Sequence, residues 1–308
     1  MFDGKVLEEF EAAAGLAGTT GAGLDRLTTI GCGGPAALLL EIDSSEKLAA
    51  VMSVAAAHDI KWFVLGYGSN LLVADEGWDG LVIRLTGELK ECEAQSGGRF
   101  ECGAGAPLSR AASVAANAGL SGLEPLAGIP GTVGGAIAMN AGAWETEIGS
   151  LTARVLLCQP GECRALEADS LSFSYRRCEL PEGSVVTRVV LALEPADPEA
   201  IQETMAEYSR RRGDGQPSGE RTFGSVFRNP AEGASAGELL DRSGCKGLEH
   251  GGAAVSQVHA NFIVNRGTAT AADVIWLMDE CRRRVHDSDG IVLEPEVRFL
   301  GDIGLAPL

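Results

Sequence analysis

Apolar residues along the chain recur with two spacings. Ala36 to Ile42 is a short apolar run, as a buried strand requires. Beyond Ser44 or Ser45 as N-cap, the positions Leu48, Val51, Met52 and Ala55 fall on one helical face. Lys61 to Leu65 and Leu81 to Leu85 are further strand-like runs, separated by the loop Gly66-Tyr67-Gly68-Ser69-Asn70. With a helical opening stretch to about residue 25, these make a first lobe over 1–88. A second lobe over 89–196 carries a helix from Leu108 to Asn117 and strands at Arg154–Leu157 and Val185–Leu193, and Pro195 and Pro198 mark its end. The remainder, 197–308, holds a helix from Glu199 to Arg212, a short helix near Ala236–Asp241 and a strand at Asn261–Asn265. A helix capped by Thr270 follows, with Asp273 three residues on and an apolar stripe through Val274, Leu277, Met278, Cys281 and Val285. The strand Ile291–Leu300 closes the chain, with Leu293, Val297 and Phe299 on one side and Glu294, Glu296 and Arg298 on the other.

Composition narrows the function classes. A chain of 308 residues has room for about two domains with proper cores. With 25 Lys+Arg against 43 Asp+Glu, the formal charge of −18 argues against nucleic-acid binding, which needs a basic footprint. The sequence shows no membrane-spanning run and no signal-peptide pattern, so the expectation is a cytosolic protein. The eight cysteines lack zinc-ligand spacing and are expected as reduced thiols; the four histidines are expected to be structural or solvated.

The 41 glycines are about twice the average share and they cluster. Gly66-Tyr67-Gly68-Ser69-Asn70 follows a strand and is either a tight turn or a loop that turns its N–H groups on an anion; it fits neither the dinucleotide nor the Walker fingerprint. Gly128-Ile129-Pro130-Gly131-Thr132-Val133-Gly134-Gly135, continued by Ala136 to Ala143, is too apolar for a solvated loop. A backbone there must approach something closely, either a packed neighbour or a planar cofactor bearing a diphosphate.

These two loops, with Thr29-Ile30-Gly31-Cys32-Gly33-Gly34-Pro35-Ala36, Tyr175-Arg176, Gly224-Ser225-Val226-Phe227-Arg228-Asn229-Pro230, His259-Ala260-Asn261-Phe262 and Leu293-Glu294-Pro295-Glu296-Val297-Arg298, run in one order. In that order the chain resembles the UDP-N-acetylenolpyruvoylglucosamine reductase family from about Thr28 to Gly301. The resemblance implies an α+β protein: a two-lobed FAD-binding domain of the vanillyl-alcohol-oxidase-like flavin fold, followed by a smaller α+β substrate-binding domain. It implies FAD as cofactor, NADPH as hydride donor, no metal, and reduction of an enolpyruvyl nucleotide sugar to UDP-N-acetylmuramate in peptidoglycan synthesis. Gly66, Tyr67, Gly68, Ser69, Asn70, Gly128, Ile129, Gly131, Thr132, Gly134 and Gly135 would hold FAD. Arg176 would stabilise the charge that develops beside the substrate carboxylate, Ser225 would donate the proton, and Glu296 would orient the substrate or help deliver that proton. Gly224 and Asn229 would contact the substrate; Arg211, Arg212 and Gln216 either meet the diphosphate or form a solvated helix end. The expected partner is this small molecule, with no nucleic acid and no membrane insertion, and the protein is expected as a monomer or weak dimer.

The sequence departs from the family pattern in two respects. Cys178 stands where a serine is usual two residues after Arg176, and the span from Arg176 to Ser225 is too short for the inserted tyrosine loop of the longer branch. Two other functions are open to these residues. One is another FAD oxidoreductase of the same architecture, with Cys32 as a conceivable covalent flavin anchor. The other is a non-catalytic flavin-binding paralogue, which would be expected to lose Arg176, Ser225 or Glu296.

Overall fold

The computed structural model describes residues 2–307. It divides into two compact units that interleave in sequence: one contains the chain up to Thr20, Leu38–Tyr67 and Gly80–Arg212, the other Gly21–Ala37, Gly68–Asp79 and the chain from Gly213 onward.

The first unit has its own core, in which Phe10, Leu38, Leu40, Met52, Phe100, Ala111, Ile137 and Val189 are buried. A five-stranded antiparallel sheet runs Glu162–Glu167, Thr152–Gln159, Val185–Ala192, Arg99–Gly103, Cys92–Ala94. The helices Ser45–Ala57 and Leu108–Asn117 lie where the sequence predicts them, and Ser44 caps the first through Lys47 N at 3.3 Å. The glycine-rich run is not loop throughout. Thr132 caps a short helix, Val133–Ala138, which packs against the strand Arg177–Glu179.

The second unit buries Ile30, Leu72, Phe223, Phe227, Leu240, Val255, Leu277 and Met278 around the helix Ala271–Asp289. Thr270 and Asp273 form a reciprocal capping box on that helix, and Asp75 accepts from Ala271 N and Ala272 N at 2.8 and 3.0 Å. Strands Glu249–His250, Ala253–Val255 and Ile263–Asn265 form a small antiparallel sheet, while Arg298–Leu300 pairs in parallel with Leu71–Val73.

Three expectations change. The opening stretch is a helix only over Gly4–Ala14; a strand, Thr19–Gly23, and a single 3-10 turn, Leu24–Leu27, follow. The closing segment is a strand only over Arg298–Leu300, because Pro295 has no N–H to give a ladder and meets Phe227 in an isolated bridge. Cys158 and Cys163 are joined as a disulfide rather than standing as thiols, since the hairpin sets them directly opposite one another. The other six cysteines are free. No helix among the described residues is long and apolar enough to cross a membrane.

Candidate active site

In the first unit the two glycine segments meet. A Cβ on Gly66 would stand 2.7 Å from Thr132 Oγ1, and one on Gly134 would stand 2.8 Å from the Ala104 Cβ. Neither position has room for a side chain. Thr132 Oγ1 accepts from Gly135 N at 3.2 Å, and the segment is fixed to its neighbour by Leu108 N to Gly131 O, Val133 N to Ala106 O and Gly134 N to Ala104 O, all between 2.8 and 2.9 Å. Gly128 and Gly135 are exposed, and Tyr67 is 53% exposed. Gly128 and Gly135 leave bare backbone at the surface, and Tyr67, next to the tightly packed Gly66, offers an open aromatic ring, so the residues present fit a flat cofactor such as FAD. Arg212 is half-buried beside Gly128, and burial lowers its pKa below the ordinary arginine value. Arg211 instead pairs with Glu207 at 2.6 Å on an exposed helix face.

Arg176 also belongs to this unit. It is the second residue of the two-residue turn joining Ser172–Ser174 to Arg177–Glu179. Its φ is +57°, a conformation that L-residues other than Asn and Asp seldom adopt and one that concentrates at functional sites. The guanidinium lies 5.0 Å from the Tyr175 ring centre and donates through Nη1 to Gly142 O at 3.4 Å. Cys178 faces inward behind the turn, where burial pushes its thiol up to about 11. It therefore packs as a neutral small side chain and leaves the charge of Arg176 alone.

The second unit brings Ser225, Glu296 and Asn70 into one neighbourhood. Glu296 N donates to Val226 O at 2.8 Å, which puts Glu296 beside the residue after Ser225. Asn70 Nδ2 donates to Glu296 O at 3.1 Å, and Arg298 N to Asn70 O at 3.1 Å. Gly224 has φ +84° and open space where a Cβ would be, apart from Ser69 O at 3.9 Å. Gly68 has φ +63°, and a side chain there would collide with the backbone of Leu27 and Thr28; Thr29 N donates to Gly68 O at 3.1 Å. Asn229 is exposed, and its Oδ1 accepts from Ala236 N at 3.0 Å.

Asn261 supports this neighbourhood without any signal of that role in the sequence. Asn261, 4% exposed, receives Phe227 N at 2.9 Å on its Oδ1 and gives its Nδ2 to Phe227 O at 2.8 Å, while its own carbonyl accepts from Val226 N at 2.9 Å. It thereby sets the backbone that carries Ser225. Elsewhere in the second unit a cavity of about 410 Å³ is lined by Asp25, Arg26, Thr28, Thr29, Gly31 and Arg221, two guanidinium groups and two hydroxyls beside one carboxylate. No group of three or more metal-ligating side chains occurs among the described residues.

Comparison with known proteins then fixes the family. Residues 216–300 match the model of the UDP-N-acetylenolpyruvoylglucosamine reductase C-terminal domain, and residues 36–158 match that of an FAD binding domain. A UDP-N-acetylenolpyruvoylglucosamine reductase of Anaeromyxobacter sp. (strain Fw109-5) is 45% identical over 89% of this chain and 86% of its own length. The chain belongs to the UDP-N-acetylenolpyruvoylglucosamine reductase family. A second member, from Desulfosudis oleivorans, is 42% identical over 90% of this chain and 93% of its own. The crystal structure of the Thermus caldophilus member superposes with a TM-score of 0.79 at 42% identity, covering 90% of this chain and 97% of that one. Both matched models contain proposed site residues: the first spans Ser225 and Glu296, the second Gly66 to Asn70 and Gly128 to Gly135.

Proposed function

We propose that this chain reduces the enolpyruvyl ether of UDP-N-acetylglucosamine to UDP-N-acetylmuramate, with NADPH as reductant, in the cytoplasmic stage of peptidoglycan precursor synthesis. When bound, FAD supplies the hydride that it takes from NADPH. Gly66, Tyr67, Gly68, Ser69, Asn70, Gly128, Ile129, Gly131, Thr132, Gly134 and Gly135 would hold FAD. Addition of hydride to the substrate methylene leaves negative charge on the neighbouring carbon and its carboxylate. Arg176, with its planar pair of donors, is suited to hold that carboxylate as the charge grows. The Ser225 hydroxyl delivers a proton to the carbon. Glu296, fixed next to the Ser225 segment, orients the substrate or helps move that proton. Gly224 and Asn229 face the nucleotide sugar. The lobes end near residues 88 and 196, and the protein acts as a monomer or weak dimer.

The observation that carries this proposal is the backbone hydrogen bond from Glu296 N to Val226 O within a chain of this family. It sets the proposed acid beside the residue that follows the proposed proton donor, across 70 residues of sequence (296 − 226). A covalently flavinylated oxidase is disfavoured at Cys32, which is buried and whose thiol is pushed up to about 12 by burial and by Asp75, Asp273 and Asp25.

Anaerobic mixing tests the function. The flavin-loaded protein is reduced with NADPH, and the enolpyruvyl nucleotide is then added. Rapid return of the oxidised flavin spectrum, with UDP-N-acetylmuramate formed, is expected. A reduced flavin that the nucleotide leaves unchanged overturns the proposal.

A further inference from the structure

Arg176 occupies a strained turn on an exposed two-stranded hairpin, an element with little intrinsic stability. Something outside the hairpin must hold the turn. Nearby runs a second hairpin, Gly142–Ala143 with Thr146–Glu147, whose two turn residues Trp144 and Glu145 both have positive φ, +52° and +66°. Trp144 stacks on Tyr208 at 5.5 Å. Arg176 reaches this hairpin through Gly142 O.

A single side chain ties the hairpins together. Asn140 is 1% exposed, and its amide donates to Ser174 O at 3.0 Å and to Glu147 Oε2 at 2.7 Å, while its Oδ1 accepts from Gly149 N at 3.0 Å. Ser174 is the last residue before the Tyr175-Arg176 turn and pairs with Arg177 on its other side, so its carbonyl is the base of that turn. Glu147 closes the neighbouring hairpin opposite Gly142, which accepts from Arg176. Both ends of the guanidinium's reach are thus referred to one amide. Asn140 itself has φ +40°, a conformation that asparagine tolerates better than most residues. Gly149 leaves the needed space, because a Cβ there would fall 2.7 Å from both Asn140 Oδ1 and the Phe173 ring. Two donors and one acceptor at these angles are the inventory of a carboxamide; a carboxylate could not donate to Ser174 O, and an aliphatic side chain could do neither.

We propose that Asn140 is a positioning residue for Arg176, holding the strained turn so that the guanidinium meets the substrate carboxylate. This rests on the role given to Arg176 above. A displacement of the reacting groups of order 1 Å costs about 10²-fold in rate. Removing the amide is therefore expected to slow flavin reoxidation by the nucleotide about 10²-fold. Flavin reduction by NADPH needs no carboxylate partner and should stay within about twofold.

The experiment uses the flavin-loaded protein in four forms: wild type, Asn140→Gly, Arg176→Ala and the double variant. Glycine is chosen because it accepts φ +40° without strain. If Asn140→Gly does not accumulate as folded protein, Asn140→Asp, of the same size, replaces it. Each half-reaction is followed by stopped flow, and hydrogen exchange is measured over residues 172–179. The expected result is a slowed oxidative half-reaction in both single variants and faster exchange of the hairpin amides in Asn140→Gly. The double variant should be within about twofold of Arg176→Ala alone, as expected when one residue acts through the other. Equal slowing of both half-reactions, effects that multiply in the double variant, or unchanged exchange over 172–179 overturns the inference and leaves the role of Arg176 standing. A normal oxidative half-reaction in Arg176→Ala overturns that role and the positioning of it together.

Discussion

The Arg176 turn and the Ser225 segment lie in different compact units and are held by opposite strategies. Ser225 sits in extended backbone, bridged to Phe262 on one side and flanked by buried Phe223, Val226 and Phe227. Arg176 sits at the tip of a hairpin whose residues are mostly exposed, in a left-handed conformation. Each has a buried asparagine behind it: Asn261 exchanges both hydrogen bonds with the backbone of Phe227, and Asn140 takes the carbonyl of Ser174. The difference shows how a hydroxyl and a guanidinium are aimed. A short side chain such as serine can only be placed by placing its backbone, so that backbone is built into a core. A long side chain such as arginine brings its own reach, so the fold needs to fix only the base of the turn.

Chemistry separates the two regions most. Ser225→Ala should slow flavin reoxidation by the nucleotide at least about 10²-fold, the low end of what a positioned proton donor contributes. Reduction by NADPH and thermal stability should be nearly unchanged, because the hydroxyl only gives up a methyl-sized volume. Stopped-flow rates for the two half-reactions decide this, and comparable slowing in both removes the proton-donor role.

Stability should separate them in the other direction. Asn261→Ala leaves the N–H and carbonyl of Phe227 buried without partners, at a cost of about 2–4 kcal/mol. Denaturant unfolding of the flavin-free protein measures this, and a loss under about 0.5 kcal/mol would show that the segment does not depend on its asparagine. The strained turn gives the inverse expectation. Arg176→Gly relieves the positive φ at a gain of up to about 1 kcal/mol, offset by the lost ring and carbonyl contacts. The variant should be no less stable than wild type while its oxidative half-reaction collapses. A clear fall in melting temperature would mean that Arg176 is kept for the fold rather than for its charge.

The sequence revealed these regions unequally, for physical reasons. The helices Ser45–Ala57 and Ala271–Asp289 are legible because 3.6-residue stripes and a Thr270/Asp273 cap are local signals. Resemblance supplied Arg176, Ser225 and Glu296, and spacing alone could not have, since an arginine in a turn and a serine after a glycine are ordinary surface residues. The small strands Cys92–Ala94, Glu162–Glu167 and Ser172–Ser174 leave no trace in the pattern, because they are short and largely exposed, with no alternation to detect. The anchors Asn140 and Asn261 carry no local signal of their role, because a buried amide declares itself only through distant partners, here 34 residues away in each case. The Cys158–Cys163 bond is not legible from spacing, which carries no register; only the hairpin pairing sets the two residues opposite each other.

The smallest expected effect discriminates the two anchors by pH. His259 Nδ1 accepts from Asn261 N at 3.1 Å, so the Ser225 side contains a titratable group. Burial lowers the pKa of this histidine below the ordinary 6.5, Lys246 lowers it further, and Asp241 opposes them. With the folded value depressed, the unfolded chain binds the proton more readily. Stability is therefore fully present above about pH 6.5 and is lost as pH falls below it. Protonation also puts a hydrogen on Nδ1 and removes the acceptor for Asn261 N. Because the ring is half-exposed, solvent screening keeps the loss to about 1 kcal/mol or less. Hydrogen exchange at pH 7.5 and 5.5, corrected for intrinsic rates, should show residues 223–229 and 259–263 loosening in acid, while 140–149 and 172–179 hold their protection. His259→Gln, which keeps an acceptor and cannot titrate in this range, should flatten the change over 223–229. Equal loosening of both regions, or no flattening in the variant, would mean that the acid sensitivity arises elsewhere and that His259 is no part of the Asn261 anchor.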